Sequence, residues 1–156
     1  LLGKDNIHLL DEFIEMFVSI HDGKMLGKVV RFKHADHLLK FLFESGHSIM
    51  IATNKRAYPT LKIIEQFGWK KYFVNIFSTN EFISKEEGVG NFLVNNSNTM
   101  YSDKFFIGDT VSDGLIAAKY DMKFLRAKYG YGENENWTNV KIFKDIMSLD
   151  EVISVN

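Results

Sequence analysis

The feature that most constrains this chain is a repeated alternation in which short apolar runs of four or five residues are separated by segments of helical periodicity. Residues 11–20 place Phe13, Met16, Phe17 and Ile20 on one face of an amphipathic helix, which His21-Asp22-Gly23 stops. Asp36 is positioned to cap a second helix carrying Leu38, Leu39, Leu42 and Phe43, and Ser45-Gly46 ends it. Ser48-Ile49-Met50-Ile51-Ala52 reads as a strand running into the polar turn Thr53-Asn54-Lys55. Pro59, the only proline, suits the first turn of a third helix with Leu61, Ile63, Ile64 and Phe67, closed by Gly68. Asn75-Ile76-Phe77-Ser78 is a short strand, and 86–95 is a helix whose propensity Gly88 and Gly90 lower. Lys104-Phe105-Phe106-Ile107-Gly108 is a strand, 112–120 an alanine-rich helix and 122–126 another strand. Strands alternating with helices in this order predict a doubly wound α/β domain built on a parallel sheet. Residues 1–35 are helical and strandless, so they are expected to form a cap or accessory segment, with the α/β core over 36–156.

Composition narrows the function classes. The 156 residues are 46% hydrophobic and 25% charged, enough to bury the core of one ordinary domain. Nineteen Lys and Arg against 20 Asp and Glu give a net charge of -1. No basic field exists to hold nucleic acid or an anionic membrane. The chain has no cysteine, which removes disulfides, thiolate metal sites and cysteine nucleophiles and fits a cytoplasmic setting. No apolar run approaches the roughly 20 residues a membrane-spanning helix needs, and 1–10 lacks the pattern of a signal peptide.

In open α/β sheets, ligands bind beyond the carboxyl ends of the strands, where strand ends meet helix N-termini. Three polar clusters fall there. Thr53-Asn54-Lys55 offers a hydroxyl and backbone N–H groups to an anion, although an ordinary turn would look the same. Gly108-Asp109-Thr110-Val111-Ser112-Asp113 places two carboxylates four residues apart, one at a strand end and one in the first helical turn. Both can converge on a hard, oxygen-seeking cation such as Mg²⁺. Capping is the plainer account, but Gly-Asp at a strand end followed by a second Asp is more specific than capping requires. Lys85 sits at a helix start, where a cation opposes the macrodipole; taken alone it would be an ordinary solvated lysine. His34-Ala35-Asp36-His37 reads as a surface helix start, and Trp69 and Trp137 as packing groups.

The order strand-Thr, Lys, strand-Gly-Asp-x-x-x-Asp resembles the haloacid dehalogenase-like hydrolase superfamily, most closely its phosphoglycolate phosphatase-like members. Ile49-Met50-Ile51-Ala52-Thr53-Asn54-Lys55 is similar to the second motif of that family, Lys85 to the third-motif lysine, and Gly108-Asp109-Thr110-Val111-Ser112-Asp113 to the fourth. Phe124-Leu125-Arg126-Ala127-Lys128-Tyr129-Gly130-Tyr131-Gly132 resembles the strand and turn that follow. The resemblance implies a Rossmann-like core and Mg²⁺-assisted transfer of a phosphoryl group from a small phosphorylated metabolite to an aspartate and then to water. It assigns Thr53, the Asn54 backbone and Lys85 to the phosphate, Thr53 and Lys85 to catalysis, and Asp109 and Asp113 to the metal.

One part of the pattern is missing. The family's first motif, Asp-x-Asp-Gly-Thr, supplies the nucleophile, and the nearest string here is Ile20-His21-Asp22-Gly23-Lys24, with an isoleucine where the nucleophile belongs. The sequence also starts at Leu1, so the expectation is that nucleophile, first strand and early cap helices lie upstream. The alternative is a non-catalytic pseudo-phosphatase acting as an interaction or regulatory module. In the family the first-motif strand lies between the strands bearing Thr53 and Asp109. Without it those two strands must pair directly, take Val29-Val30-Arg31-Phe32 as a substitute, or leave backbone groups unpaired. A chain lacking a central strand can also exchange elements with a second copy, which leaves a homodimer open.

Overall fold

Three helices end in the same way, and those ends time the alternation of the chain. In the computed structural model, which describes residues 7–20, 23, 26–79, 83–97 and 103–155, helix α2 (Ala35–Glu44) is followed by Gly46 at φ 80°. The Gly46 and His47 amides turn back to the carbonyls of Phe43 and Leu42. Helix α3 (Ala57–Gln66) closes likewise at Gly68, and α5 (Val111–Lys119) at Asp121, a non-glycine residue at φ 52°. This paired closure satisfies carbonyls that a helix end leaves orphaned. After α2 and α5 the next strand begins within three or four residues.

The other elements are α1 (Ile7–Ile20), β1 (Ile49–Arg56), β2 (Phe73–Thr79), α4 (Lys85–Asn95), β3 (Phe105–Gly108), β4 (Lys123–Ala127), β5 (Lys144–Ile146) and α6 (Asp150–Ile153). All strand pairings are parallel, and the α/β architecture is as the periodicity predicts. The strands form two sheets: β1 with β2, and β3-β4-β5 with β4 at the centre. Leu125, Ala127 and Ile146 of the second sheet pack with Leu38 of α2 and Val152 of α6 into the buried core, and Leu42, Phe105 and Tyr129 close around it.

Several expectations need correction. Val29-Val30-Arg31-Phe32 forms no strand; Val30 is exposed, Phe32 stacks edge-on against Tyr129, and Arg31 pairs with Asp36 and lies over Phe67. Its side chains are held by tertiary partners, and no ladder forms. Asp36 does not cap α2: His34 stands at the cap position at φ 68° with no side-chain cap, while Asp36 accepts from Arg31 and from the Trp69 indole. Strand β1 runs on past Ala52 to Arg56, because Thr53 pairs in register with Ser78 and the Thr79 hydroxyl donates to the Asn54 carbonyl. Strand β5 and helix α6 carry too few apolar residues to be read from periodicity. His21, Asp22 and Lys24 lie outside the described residues.

Strands β1 and β3 do not pair with each other. Among the described residues, β1 and β3 each have a partner on one edge only. A cleft of about 290 Å³ is lined by Ile49, Met50 and Ala52 of β1, Phe105 and Ile107 of β3, and Leu93 of α4.

Candidate active site

The polar residues gather at the carboxyl ends of the strands. Strand β3 ends at Gly108, and Asp109 and Thr110 lead into α5. Thr110 caps this helix: its hydroxyl accepts from the Asp113 amide, and the Asp113 carboxylate accepts in return from the Thr110 amide and hydroxyl. Asp113 Oδ2 also takes the Asp109 amide at 3.2 Å. A side chain at 108 would overlap the Asp113 carboxylate, so glycine is required for the approach.

Helix α4 carries a second capping box, with Ser84 and Glu87 bonding each other's backbone amides. Ser84 accounts for the expected helix start and for the Glu87 carboxyl being held below its usual range, through the Ser84 amide and then its hydroxyl. Lys85 is the first residue of this helix and is buried. Its ammonium reaches Asp113 Oδ1 at 2.5 Å, with the two side chains only 11% and 8% exposed. The ordinary solvated-lysine reading is therefore excluded by burial. Such a pair is poor evidence of stability, because desolvating both charges offsets most of their attraction. Gly88 and Gly90, which weaken the helix locally, let α4 lie against Phe77 of β2 and the Tyr120 hydroxyl.

The two expected metal carboxylates thus stand in different situations. Both oxygens of Asp113 are already engaged, by Lys85 and by the start of α5. Among the described residues the Asp109 carboxylate accepts one bond, at Oδ2 from the Tyr131 amide at 2.6 Å, and none at Oδ1. Among the described residues no three His, Cys, Asp or Glu side chains converge into a metal cage. One such carboxylate oxygen still suits Mg²⁺, which keeps several waters and commonly takes one or two protein carboxylates together with substrate phosphate.

On β1 the Thr53 hydroxyl accepts from the Lys55 amide at 3.1 Å, forming a small turn, and among the described residues its own proton is donated to no group. Among the described residues no hydrogen bond joins Thr53 or Asn54 to Lys85, Asp109 or Asp113. The structure brings Lys85, Asp109 and Asp113 into one network and leaves Thr53 and Asn54 on the separate β1–β2 sheet. Periodicity and spacing missed Glu135, whose carboxylate accepts from the Val111 amide at 2.8 Å and completes the N-terminus of α5. The Gly130-Tyr131-Gly132 string carried a signal, read as the turn that follows a strand, but not its contact with Asp109.

The parallel α/β order, with a strand-end Gly-Asp and a buried lysine at the start of the preceding helix, fits a hydrolase class. A family model described as haloacid dehalogenase-like hydrolase matches residues 2–127, and the chain belongs to that family. Within it the sequence is phosphoglycolate phosphatase-like. It is 29% identical to phosphoglycolate phosphatase of Vibrio parahaemolyticus over 123 residues, 76% of this chain and 54% of that protein. The chain spans about half the length of the curated relatives it matches. In fold it is similar to a putative phosphatase from Clostridium difficile, with TM-score 0.80 and 19% identity over 93% of this chain and 69% of the other. It is also similar to the putative hydrolase YfnB of Bacillus subtilis bound to magnesium, with TM-score 0.62 and 14% identity over 80% and 54%. No helix among the described residues is long and apolar enough to cross a membrane.

Proposed function

We propose that this chain is the metal- and phosphate-binding part of a Mg²⁺-dependent phosphatase for small phosphate monoesters, and that the nucleophilic aspartate is not among its described residues. The observation that carries the reading is the buried Lys85–Asp113 pair beside Asp109, where the N-termini of α4 and α5 meet. Asp109 Oδ1 is the direct protein ligand for Mg²⁺; Asp113 holds Lys85 and the start of α5 in place. When bound, Mg²⁺ polarises a phosphoryl oxygen and offsets its charge. Lys85 balances the remaining negative charge, and the Thr53 hydroxyl with the Asn54 amide binds phosphate oxygens. The cleft between β1 and β3 takes a strand that joins the two sheets and brings its carboxylate up beside Thr53 and Asp109. That carboxylate takes the phosphoryl group as the bond from phosphorus to the ester oxygen breaks and the alcohol leaves, and water then hydrolyses the acyl phosphate to the free carboxylate and inorganic phosphate. Residues 1–35 serve as part of a cap, 36–156 as the core, and the setting is cytoplasmic.

Hydrolysis of an aryl phosphate, followed with Mg²⁺ and with EDTA, tests this. The expected result is no turnover above an Asp109→Asn background, together with a Mg²⁺-dependent rise in Tm that Asp109→Asn abolishes. Turnover lost with EDTA would place a nucleophile within these 156 residues, with Asp22 the first to replace. Equal melting with and without Mg²⁺ would remove the metal assignment. The second reading, a pseudo-phosphatase used for interaction, is favoured by one observation: Phe13, Met16, Phe17 and Ile20 of α1 are all about half exposed or more.

A further inference from the structure

Asp109 is held by a turn 22 residues further along the chain, whose glycines permit a close approach. Three features converge on it. The Tyr131 amide donates to Asp109 Oδ2, a side chain at 130 would overlap the Asp109 carboxylate, and one at 132 would overlap the Asp109 carbonyl oxygen. The turn is itself fixed to the core. The Gly130 amide donates to Ala127 at the end of β4, and the Trp137 indole donates to the Gly132 carbonyl at 3.0 Å. Trp137 stacks on buried Phe124 and is covered by Arg126, which is paired through two nitrogens with Asp145. The Tyr131 side chain is 94% exposed, so its role here lies in its backbone N–H.

We infer that the turn at 129–132 is a positioning clamp for the metal ligand: the Tyr131 N–H fixes Asp109 Oδ2, so that Oδ1 alone is presented to a divalent cation. A free carboxylate can rotate and offer either oxygen or both. Held at one, it offers a single directed ligand, which suits the strict octahedral geometry of Mg²⁺ better than the looser demands of Ca²⁺. Outer hydrogen bonds of this kind orient metal ligands and set affinity. The inference rests on the assignment of Asp109 to Mg²⁺ made above.

Tyr131→Pro deletes the donor at a position whose φ of -90° lies near the range proline adopts. The readouts are the Mg²⁺ concentration at half-maximal thermal stabilisation, and amide hydrogen exchange at Tyr131 without metal. The clamp predicts a half-point raised by about 10-fold or more in Tyr131→Pro, with Tyr131→Ala, which keeps the N–H, shifted far less. It also predicts slow exchange at Tyr131 in the wild type that becomes fast in Asp109→Ala, a measurement that stands even where the proline variant folds poorly. A wild type that responds to Mg²⁺ while Tyr131→Pro responds equally, or exchange indifferent to Asp109, overturns the clamp alone. A wild type indifferent to Mg²⁺ overturns the clamp together with the metal reading beneath it.

Discussion

The two sheets of this molecule are made of similar residues and reach different degrees of burial. In the three-stranded sheet, β4 has a neighbour on each edge, and Phe124, Leu125 and Ala127 are buried, as is Ile146 of β5. In the two-stranded sheet the apolar residues Ile49, Met50, Ile51 and Ala52 are no less hydrophobic, yet none is fully buried. The difference lies in neighbours. The side chains of a parallel strand are buried when helices and neighbouring strands cover them, as α2 and α6 cover β4 and Ile146 of β5, and β1 faces the cleft. One joint between the halves runs through α2, whose Asp36 and Phe43 meet Trp69 and Tyr72 ahead of β2, and another is a contact between helices. Lys85 and Glu86 at the start of α4, which follows β2, meet Asp113, Lys119 and Tyr120 from α5 and its end.

The largest expected effect breaks that joint. Lys85→Met leaves Asp113 Oδ1 buried without its cation, and removing one partner of a buried pair costs about 3–5 kcal/mol. Urea denaturation should show a loss of that size, accompanied by faster amide exchange in both α4 and α5. A loss below about 1 kcal/mol would mean that the halves are held together by something other than this pair.

The second prediction sharpens the contrast between sheets. Leu125→Ala in β4 removes a side chain with 1% exposure and should cost about 3 kcal/mol. Ile51→Ala in β1, where the side chain is only partly enclosed, should cost about 1 kcal/mol, since burial scales the loss. Equal losses would show β1 to be as well packed as β4 and the cleft to be closed in solution.

Much of this was legible in advance, because the strand-helix order, the parallel class and the Gly108-Asp109 strand end depend on local periodicity and local capping. Lys85 was legible as an oddity, since a cation at a helix start needs a reason, but the reason, Asp113, sits 28 residues away. The partners of Asp113 were hidden for the same cause. Spacing shows that two carboxylates can share a face, whereas only the packed structure shows that Thr110 and Lys85 have already claimed one of them. Strand β5 escaped notice because Lys144-Asp145-Ile146 has one apolar residue; what holds it is the buried Ile146 and the ion pair from Arg126 to Asp145. The Tyr131 contact is the extreme case, because a backbone amide leaves no trace in composition or periodicity.

The smallest effect concerns Tyr129, which lies where the core of the three-stranded sheet borders the site. Burial, and then the nearby Asp109 carboxylate, push its phenol up to about 12 from an ordinary 10.0. An unfolded chain releases this proton from about pH 10 and the folded one holds it to about pH 12, so the favourable contribution is complete below pH 10. It is lost as pH rises from 10 to 12. Since the residue is only half buried, solvent screening reduces the term to the order of 1 kcal/mol. Tyr129→Phe keeps the ring and removes the titration, so the stability gap between the two proteins should be constant below pH 10 and shift in favour of phenylalanine above it. Parallel curves across that window would mean that the phenol ionises as freely in the fold as outside it, and that the wall between core and site is wetter than the packing of Phe32 and Tyr129 suggests.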